Sequence, residues 1–218
     1  MDPFASERED MVRHQLEGRG IGDKKVLTAM RKVPRHKFVP EDQRWRAYGD
    51  GPLPIGQSQT ISQPYVVALM CELLKLTDSE SVLEIGTGSG YAAAVLSELC
   101  RHVTTIERLP GLAERADETL DATGFENVNV KCADGTLGCP EDAPFDAILV
   151  SAGAPETPEV LKQQLAIGGR LVIPVGRSKS LQELLRIRRV SETGFETEHL
   201  GGVAFVPLIG EKGWQTDS

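Results

Sequence analysis

The chain of 218 residues has no uninterrupted apolar run near the roughly 20 residues that a bilayer-spanning helix needs, so no membrane partner is expected. Positive charge is not in surplus either. With 24 Lys and Arg against 32 Asp and Glu, the formal net charge is −8, which argues against a protein whose main task is gripping phosphates. No nucleic-acid partner is therefore expected. Cys71, Cys100, Cys132 and Cys139 lack the short paired spacing of a zinc site, and only the last two fall near each other, in a Gly/Pro-containing loop. They read as free thiols, and no metal is expected. His14, His36, His102 and His199 form no recognisable acid–base constellation. Met1 to Gly20 is charged and lacks the apolar centre of a signal peptide, so the expected location is cytoplasmic. There is no internal repeat and no low-complexity segment.

A hydrophobic content of 40% is enough for a sizeable core at this length, as one domain with an extension or two small ones. Apolar residues recur at helical spacing from Glu7 to Glu17 and from Lys24 to Arg31, with Gly18, Gly20 and Gly22 between them. Val33-Pro34 closes the second helix. Phe38 to Pro54 has no sustained period and reads as irregular covering chain. Beyond Asp78 the rhythm becomes short β-branched runs alternating with helical segments, the pattern of a parallel sheet with crossover helices. Strands are predicted at Val82 to Ile85, Val103 to Glu107, Val128 to Ala133, Phe145 to Ser151 and Gly169 to Val175. Helices are predicted at Tyr91 to Leu99, Leu112 to Thr123 and Pro158 to Leu165. Leu184 to Val190 and Val203 to Leu208 follow without a helix between them, since Ser191 to Gly194 is turn chemistry, so the sheet should finish with antiparallel strands. The expected fold is α/β: a mostly parallel, doubly wound, Rossmann-like sheet under an N-terminal helical cap. Residues 1–78 would form the cap and a loop, and 79–218 the α/β core, together one compact unit.

The first strand leads into Glu84-Ile85-Gly86-Thr87-Gly88-Ser89-Gly90-Tyr91, three glycines at alternate positions behind an acidic residue. Such a turn leaves backbone bare for a cofactor to lie against. A dinucleotide fingerprint places its third glycine one residue later and a pyrophosphate near the helix N-terminus, where Glu84 would repel it. Glu84 suits a cationic, phosphate-free ligand instead, and S-adenosyl-L-methionine carries a sulfonium and an ammonium. Glu107 and Asp134 end the next two strands, where an open α/β sheet binds its ligands. Glu107 has the right offset to accept both ribose hydroxyls. Asp134 can accept from an exocyclic adenine amine, with the Gly135 N–H close to the ring. Each carboxylate taken alone could be a solvated strand end; three around one glycine turn point to a site comprising Glu84, Gly86, Gly88, Glu107, Asp134 and Gly135.

A second unusual stretch, Leu53 to Pro64, is polar, carries few charges and leads into an apolar helix at Val66 to Leu74. Composition alone leaves it open as an ordinary loop with Ser62 as a helix N-cap. Its run Gly56-Gln57-Ser58-Gln59-Thr60-Ile61-Ser62-Gln63-Pro64, however, resembles the protein-L-isoaspartate O-methyltransferase family. So do Val82 to Tyr91, Phe145 to Ala152, Gly168 to Gly176 and Phe205-Val206-Pro207-Leu208, in order along nearly the whole chain. The Thr-Ile-Ser loop and the Phe-Val-Pro-Leu segment are the specific parts, because other methyltransferases share only the glycine turn.

The resemblance implies methyl transfer from S-adenosyl-L-methionine to the α-carboxylate of L-isoaspartyl residues in damaged proteins. The ester then cyclises to a succinimide that can reopen as aspartate. It makes Ser62 the active-site hydroxyl and has Thr60 and Ile61 shape the acceptor pocket. Val206 and Leu208 would run beside an extended substrate peptide, in a mode that tolerates many side chains. A family exchange in the order of the last two strands is also implied. The tail from Gly210 to Ser218 gives no clear match, and no role is assigned to it. The chain is expected to act as a monomer. Two rivals keep the cofactor: a methyltransferase of nucleic-acid amines and a binding module without catalysis. The first would carry an Asn/Asp-Pro-Pro-aromatic motif where this chain has Ser151-Ala152-Gly153-Ala154-Pro155; against the second stands the Thr60-Ile61-Ser62 loop.

Overall fold

The structure, a computed structural model, describes residues 2–215. Its N-terminal part is helical: α1 (Ala5–Asp10) runs on as a π-helical stretch over Met11–Leu16, and a turn at Gly20 leads to α2 (Lys24–Lys32). Asp23 starts α2 by accepting from the Lys25 and Val26 N–H groups, the usual work of an aspartate N-cap. Val26, Leu27, Ala29 and Met30 bury one face of that helix, and the lysines take the other. Two 3-10 segments, Arg35–Lys37 and Glu41–Arg46, interrupt the covering chain that follows.

The stretch read from composition as a loop is in fact a small antiparallel hairpin, β1 (Leu53–Gly56) with β2 (Gln59–Ile61). Gln57 and Ser58 at its tip have φ of 50° and 57°, the paired left-handed conformations that a two-residue type I′ turn requires. Neither residue favours that region, which is why the hairpin gave no sequence signal. α3 (Pro64–Leu74) follows, with proline at its start, where a missing N–H costs nothing.

Next come β3 (Ser81–Ile85), α4 (Tyr91–Ser97), β4 (His102–Glu107), α5 (Pro110–Thr123), β5 (Val128–Cys132), β6 (Phe145–Val150), α6 (Glu159–Gln163), β7 (Leu165–Ser178), β8 (Leu181–Arg189) and β9 (Phe195–Val203). The seven-stranded sheet has the order β5-β4-β3-β6-β7-β8-β9. Pairs from β5 through β7 are parallel; β7-β8 and β8-β9 are antiparallel. The α/β class and the antiparallel finish thus stand as expected, while the ends of several elements move. β7 begins at Leu165 and shortens the helix before it, because Leu165 already pairs with Phe145.

The last strand requires a correction. It is Phe195–Val203, joined to β8 by the expected turn at Ser191 to Gly194, and residues 204–208 lie outside the ladder. β9 is an edge strand with almost no buried side chain, so its composition lacks the apolar alternation that marks a strand.

Two apolar layers sandwich the sheet. On one face the cap residues Val12, Leu27 and Met30 share a core with α3, α4 and the sheet residues Val82, Val103 and Val172. On the other, Leu83, Ile148, Leu171 and Ile173 pack with Leu161 of α6. Arg170 of β7 ties the junction between cap and core. Its guanidinium donates to both carboxylate oxygens of Glu80 at 2.7 and 3.1 Å and to the Leu74 and Lys75 carbonyls at 2.6 and 2.9 Å.

Candidate active site

A cleft partly open to solvent lies across the C-terminal ends of β3, β4 and β6, where an open α/β sheet binds its ligands. Its floor is the turn after β3. Gly86 and Gly88 sit at φ 93° and 55°, values that a side chain would strain. The Gly88 N–H donates to Glu107 Oε2 at 3.0 Å, and Glu107 Oε1 accepts from the Leu109 N–H at 3.0 Å. The strand-end carboxylate and the glycine turn are thus locked to each other. Gly135 must be glycine for a different reason: a Cβ there would lie 2.6 Å from Cγ2 of Ile85.

Glu84 lines the same cleft, yet is sealed from water beneath the turn. It accepts from the Thr105 hydroxyl at 2.6 Å and from the Ser151 hydroxyl at 3.5 Å. Burial pushes its carboxyl up to about 8; the Thr105 and Ser151 hydrogen bonds work against this and the nearby Glu107 charge adds to it. The group expected to present a negative charge is therefore mostly protonated at neutral pH when the cleft holds no cation.

Asp134 stands apart from the main lining, in a shallower depression with Arg108, Cys132 and Ile209. Its Oδ1 accepts from the Thr136 N–H and hydroxyl at 2.9 and 2.6 Å, and its Oδ2 from the Glu211 N–H at 2.8 Å. Burial alone would raise this carboxyl, but the bonds from Thr136 and Glu211 outweigh it and hold it below the ordinary aspartate value.

Thr60, Ile61 and Ser62 form one wall of the cleft, and Val206 and Leu208 another. α3 takes Gln63 as its N-cap with no side-chain capping bond, so the Ser62 hydroxyl is not engaged as a helix cap. Val206 and Leu208 reach the cleft along an irregular segment rather than a strand of the sheet. Gly153 fixes that segment: its N–H donates to the Val206 carbonyl and its carbonyl accepts from the Leu208 N–H, both at 2.8 Å. Sequence reasoning missed Ser151 and Ala152, which also line the cleft. Their position just past β6, at a strand end, was the available signal. It missed the tail as well. Trp214 donates from Nε1 to the Gly153 carbonyl at 3.0 Å and from its backbone to Leu208 at 2.8 Å, and the Lys212 N–H reaches Thr136 Oγ1 at 3.0 Å.

A mostly parallel sheet with strand-end carboxylates and a three-glycine turn over a buried glutamate is the arrangement of an S-adenosyl-L-methionine-dependent methyltransferase. The comparisons narrow that class. The profile of the protein-L-isoaspartate(D-aspartate) O-methyltransferase family matches residues 6–213. A protein-L-isoaspartate O-methyltransferase of Marinobacter nauticus is 62% identical over 207 residues, 95% of this chain and 94% of that one. One from Methanoculleus marisnigri is 54% identical over 98% of this chain and 96% of its own. A solved protein-L-isoaspartate O-methyltransferase superposes with TM-score 0.84 at 30% identity, over 94% of this chain and 67% of that one. A Plasmodium falciparum structure, described as a candidate member of the same group with S-adenosyl-L-homocysteine bound, gives TM-score 0.80 at 26% identity over 93% and 98% of the two chains. The chain belongs to the protein-L-isoaspartate(D-aspartate) O-methyltransferase family.

Proposed function

We propose that this chain methylates the α-carboxylate of L-isoaspartyl residues in proteins and peptides, using S-adenosyl-L-methionine. The observation that supports the reading is that Thr60-Ile61-Ser62, at the end of the hairpin and just past it, lines the same cleft as the glycine turn. The residues present suit the cofactor. The turn is bare at Gly86 and Gly88, and Gly135 has no room for a side chain. Glu107 would take the ribose hydroxyls, Gly135 and Asp134 the adenine edge, and Glu84 would lie under the cationic end. When bound, S-adenosyl-L-methionine supplies an electrophilic methyl group.

The chain's own task is positioning. A carboxylate of ordinary pKa, about 4, is ionised at neutral pH and needs no general base. Ser62 and Thr60 would donate hydrogen bonds that orient it. As neutral donors they restrain it less than a bidentate arginine pair, which would draw charge from the attacking oxygen. Holding two reactants in line is itself a large source of rate. Val206 and Leu208 would flank the peptide, and the ester product is activated for attack by the next backbone nitrogen. The reading has one copy of the chain acting alone, without a nucleic-acid partner, in keeping with the net charge of −8. Among the described residues no helix is long and apolar enough to cross a membrane.

The test is transfer of labelled methyl to a peptide pair that differs only in isoaspartate or aspartate. Base-labile label on the isoaspartyl member alone is expected; label on neither, or equally on both, overturns the reading.

A further inference from the structure

The cap holds a residue that the chemistry above does not use. Arg35 is fully buried, with no ion-pair partner among the described residues. Burial pulls its guanidinium down to about 10, so it remains a cation at neutral pH. Its Nε donates to the Ala47 carbonyl at 2.8 Å and its Nη2 to the Ser62 carbonyl at 2.7 Å, while Nη1 is buried without a partner. Its Cζ lies 4.7 Å from the centre of the Tyr91 ring, the first residue after the glycine turn.

An arginine is a poor choice for filling space at this position. Removing a guanidinium from water is costly, and an apolar side chain of similar volume in place of a buried charge often leaves stability unchanged or raises it. What the guanidinium does that an apolar group cannot is reach. Ser62 lies between the end of β2 and the N-cap Gln63, where neither the hairpin ladder nor the helix holds its main chain. Arg35 supplies a charge-assisted bond to its carbonyl, a stronger tie than one between neutral groups. The same side chain lies over the Tyr91 ring, a packing contact that an unbranched apolar side chain of similar length can also make, so the bond to Ser62 is what sets the guanidinium apart.

We propose that Arg35 is a positioning residue for methyl transfer, fixing the Ser62 main chain and hence the direction of its hydroxyl toward the acceptor carboxylate. This rests on the reading of Ser62 given above. It differs from a general structural role because its effect should pass through Ser62 and spare the cofactor.

A double-mutant cycle with Arg35→Met and Ser62→Ala tests it, with kcat/KM for an isoaspartyl peptide normalised to the sites titrated by S-adenosyl-L-homocysteine. Arg35→Met should lower kcat/KM by about 10- to 100-fold, the scale of a displaced positioning group. In the Ser62→Ala background the same change should have little further effect. Affinity for S-adenosyl-L-homocysteine should stay within about twofold, far less than the tenfold that corresponds to 1.4 kcal/mol. Arg35→Lys, which keeps the charge but not the fork, should fall between the two and completes the cycle if Arg35→Met does not fold. Additive losses, or cofactor affinity falling in step with the rate, overturn the proposal. If Ser62→Ala alone leaves the rate unchanged, the reading of Ser62 has failed, and the proposal with it.

Discussion

Replacing Glu84 with glutamine should change how stability depends on pH, in a direction fixed by its burial. The ordinary carboxyl value of 4.5 rises to about 8 in the fold. Between those values the native state keeps a proton that the unfolded chain has lost. Glu84 therefore leaves stability intact below about pH 4.5 and erodes it as pH climbs through 8. The slope in that window is about 1.4 kcal/mol per pH unit, and integrating from pH 5 to pH 8 gives a loss on the order of 3 to 4 kcal/mol. Glutamine has no proton to lose and keeps a carbonyl for the Thr105 hydroxyl. The other titrating groups are common to both proteins and cancel in the difference. Urea unfolding at pH 5, 6.5 and 8, followed by circular dichroism without cofactor, should show the wild-type advantage over Glu84→Gln shrinking by that amount. Parallel pH profiles would refute the claim that Glu84 is held protonated beneath the turn. Unequal denaturant slopes would instead mark a change in the unfolded ensemble.

Further outcomes concern separate parts of the site. Ser62→Ala should lower turnover on an isoaspartyl peptide by about 10- to 100-fold while leaving calorimetric cofactor affinity almost unchanged, as expected of a group that orients only the acceptor. Glu107→Ala should weaken cofactor binding by about 1 to 3 kcal/mol, the range for a lost charged hydrogen bond, again read by calorimetry. Arg170→Ala removes the arginine from the Glu80 carboxylate and from three carbonyls, those of Leu74, Lys75 and Asp146. Its unfolding free energy should drop by about 3 to 5 kcal/mol, the cost of breaking a largely buried pair from one side.

How far the molecule could be read in advance depended on what each segment buries. β3, β4 and β6 are apolar runs covered on both faces, and a short β-branched run bounded by turns has few other readings. β9 is nearly all exposed, so burial left no imprint on its composition. Val203 to Leu208 misled in the opposite sense: Val203 and Phe205 pack against the core while Val206 and Leu208 line a cleft, uses of hydrophobicity that periodicity cannot distinguish from a strand face. The shared cleft of Glu84 and Glu107 was legible because topology brings strand ends together, whereas Asp134 sits in a depression beside it. The Arg35 bond to Ser62 was not, because a lone arginine after Val33-Pro34 carries no mark of burial. The protonation of Glu84 likewise depends on burial beneath the turn and on the neighbouring Glu107, an environment that only the fold supplies.

The bonds made by the tail have a bearing on what a shortened chain would lose. Every strand of the sheet is complete by Val203, but the segment that closes the cleft runs on through Trp214, whose backbone and ring both bond to the residues it braces. The scaffold and its binding wall are therefore separable along the chain. A chain that stopped soon after Val203 would hold every strand of the sheet and lack the wall that Val206 and Leu208 form and Trp214 braces, leaving an open-sided site.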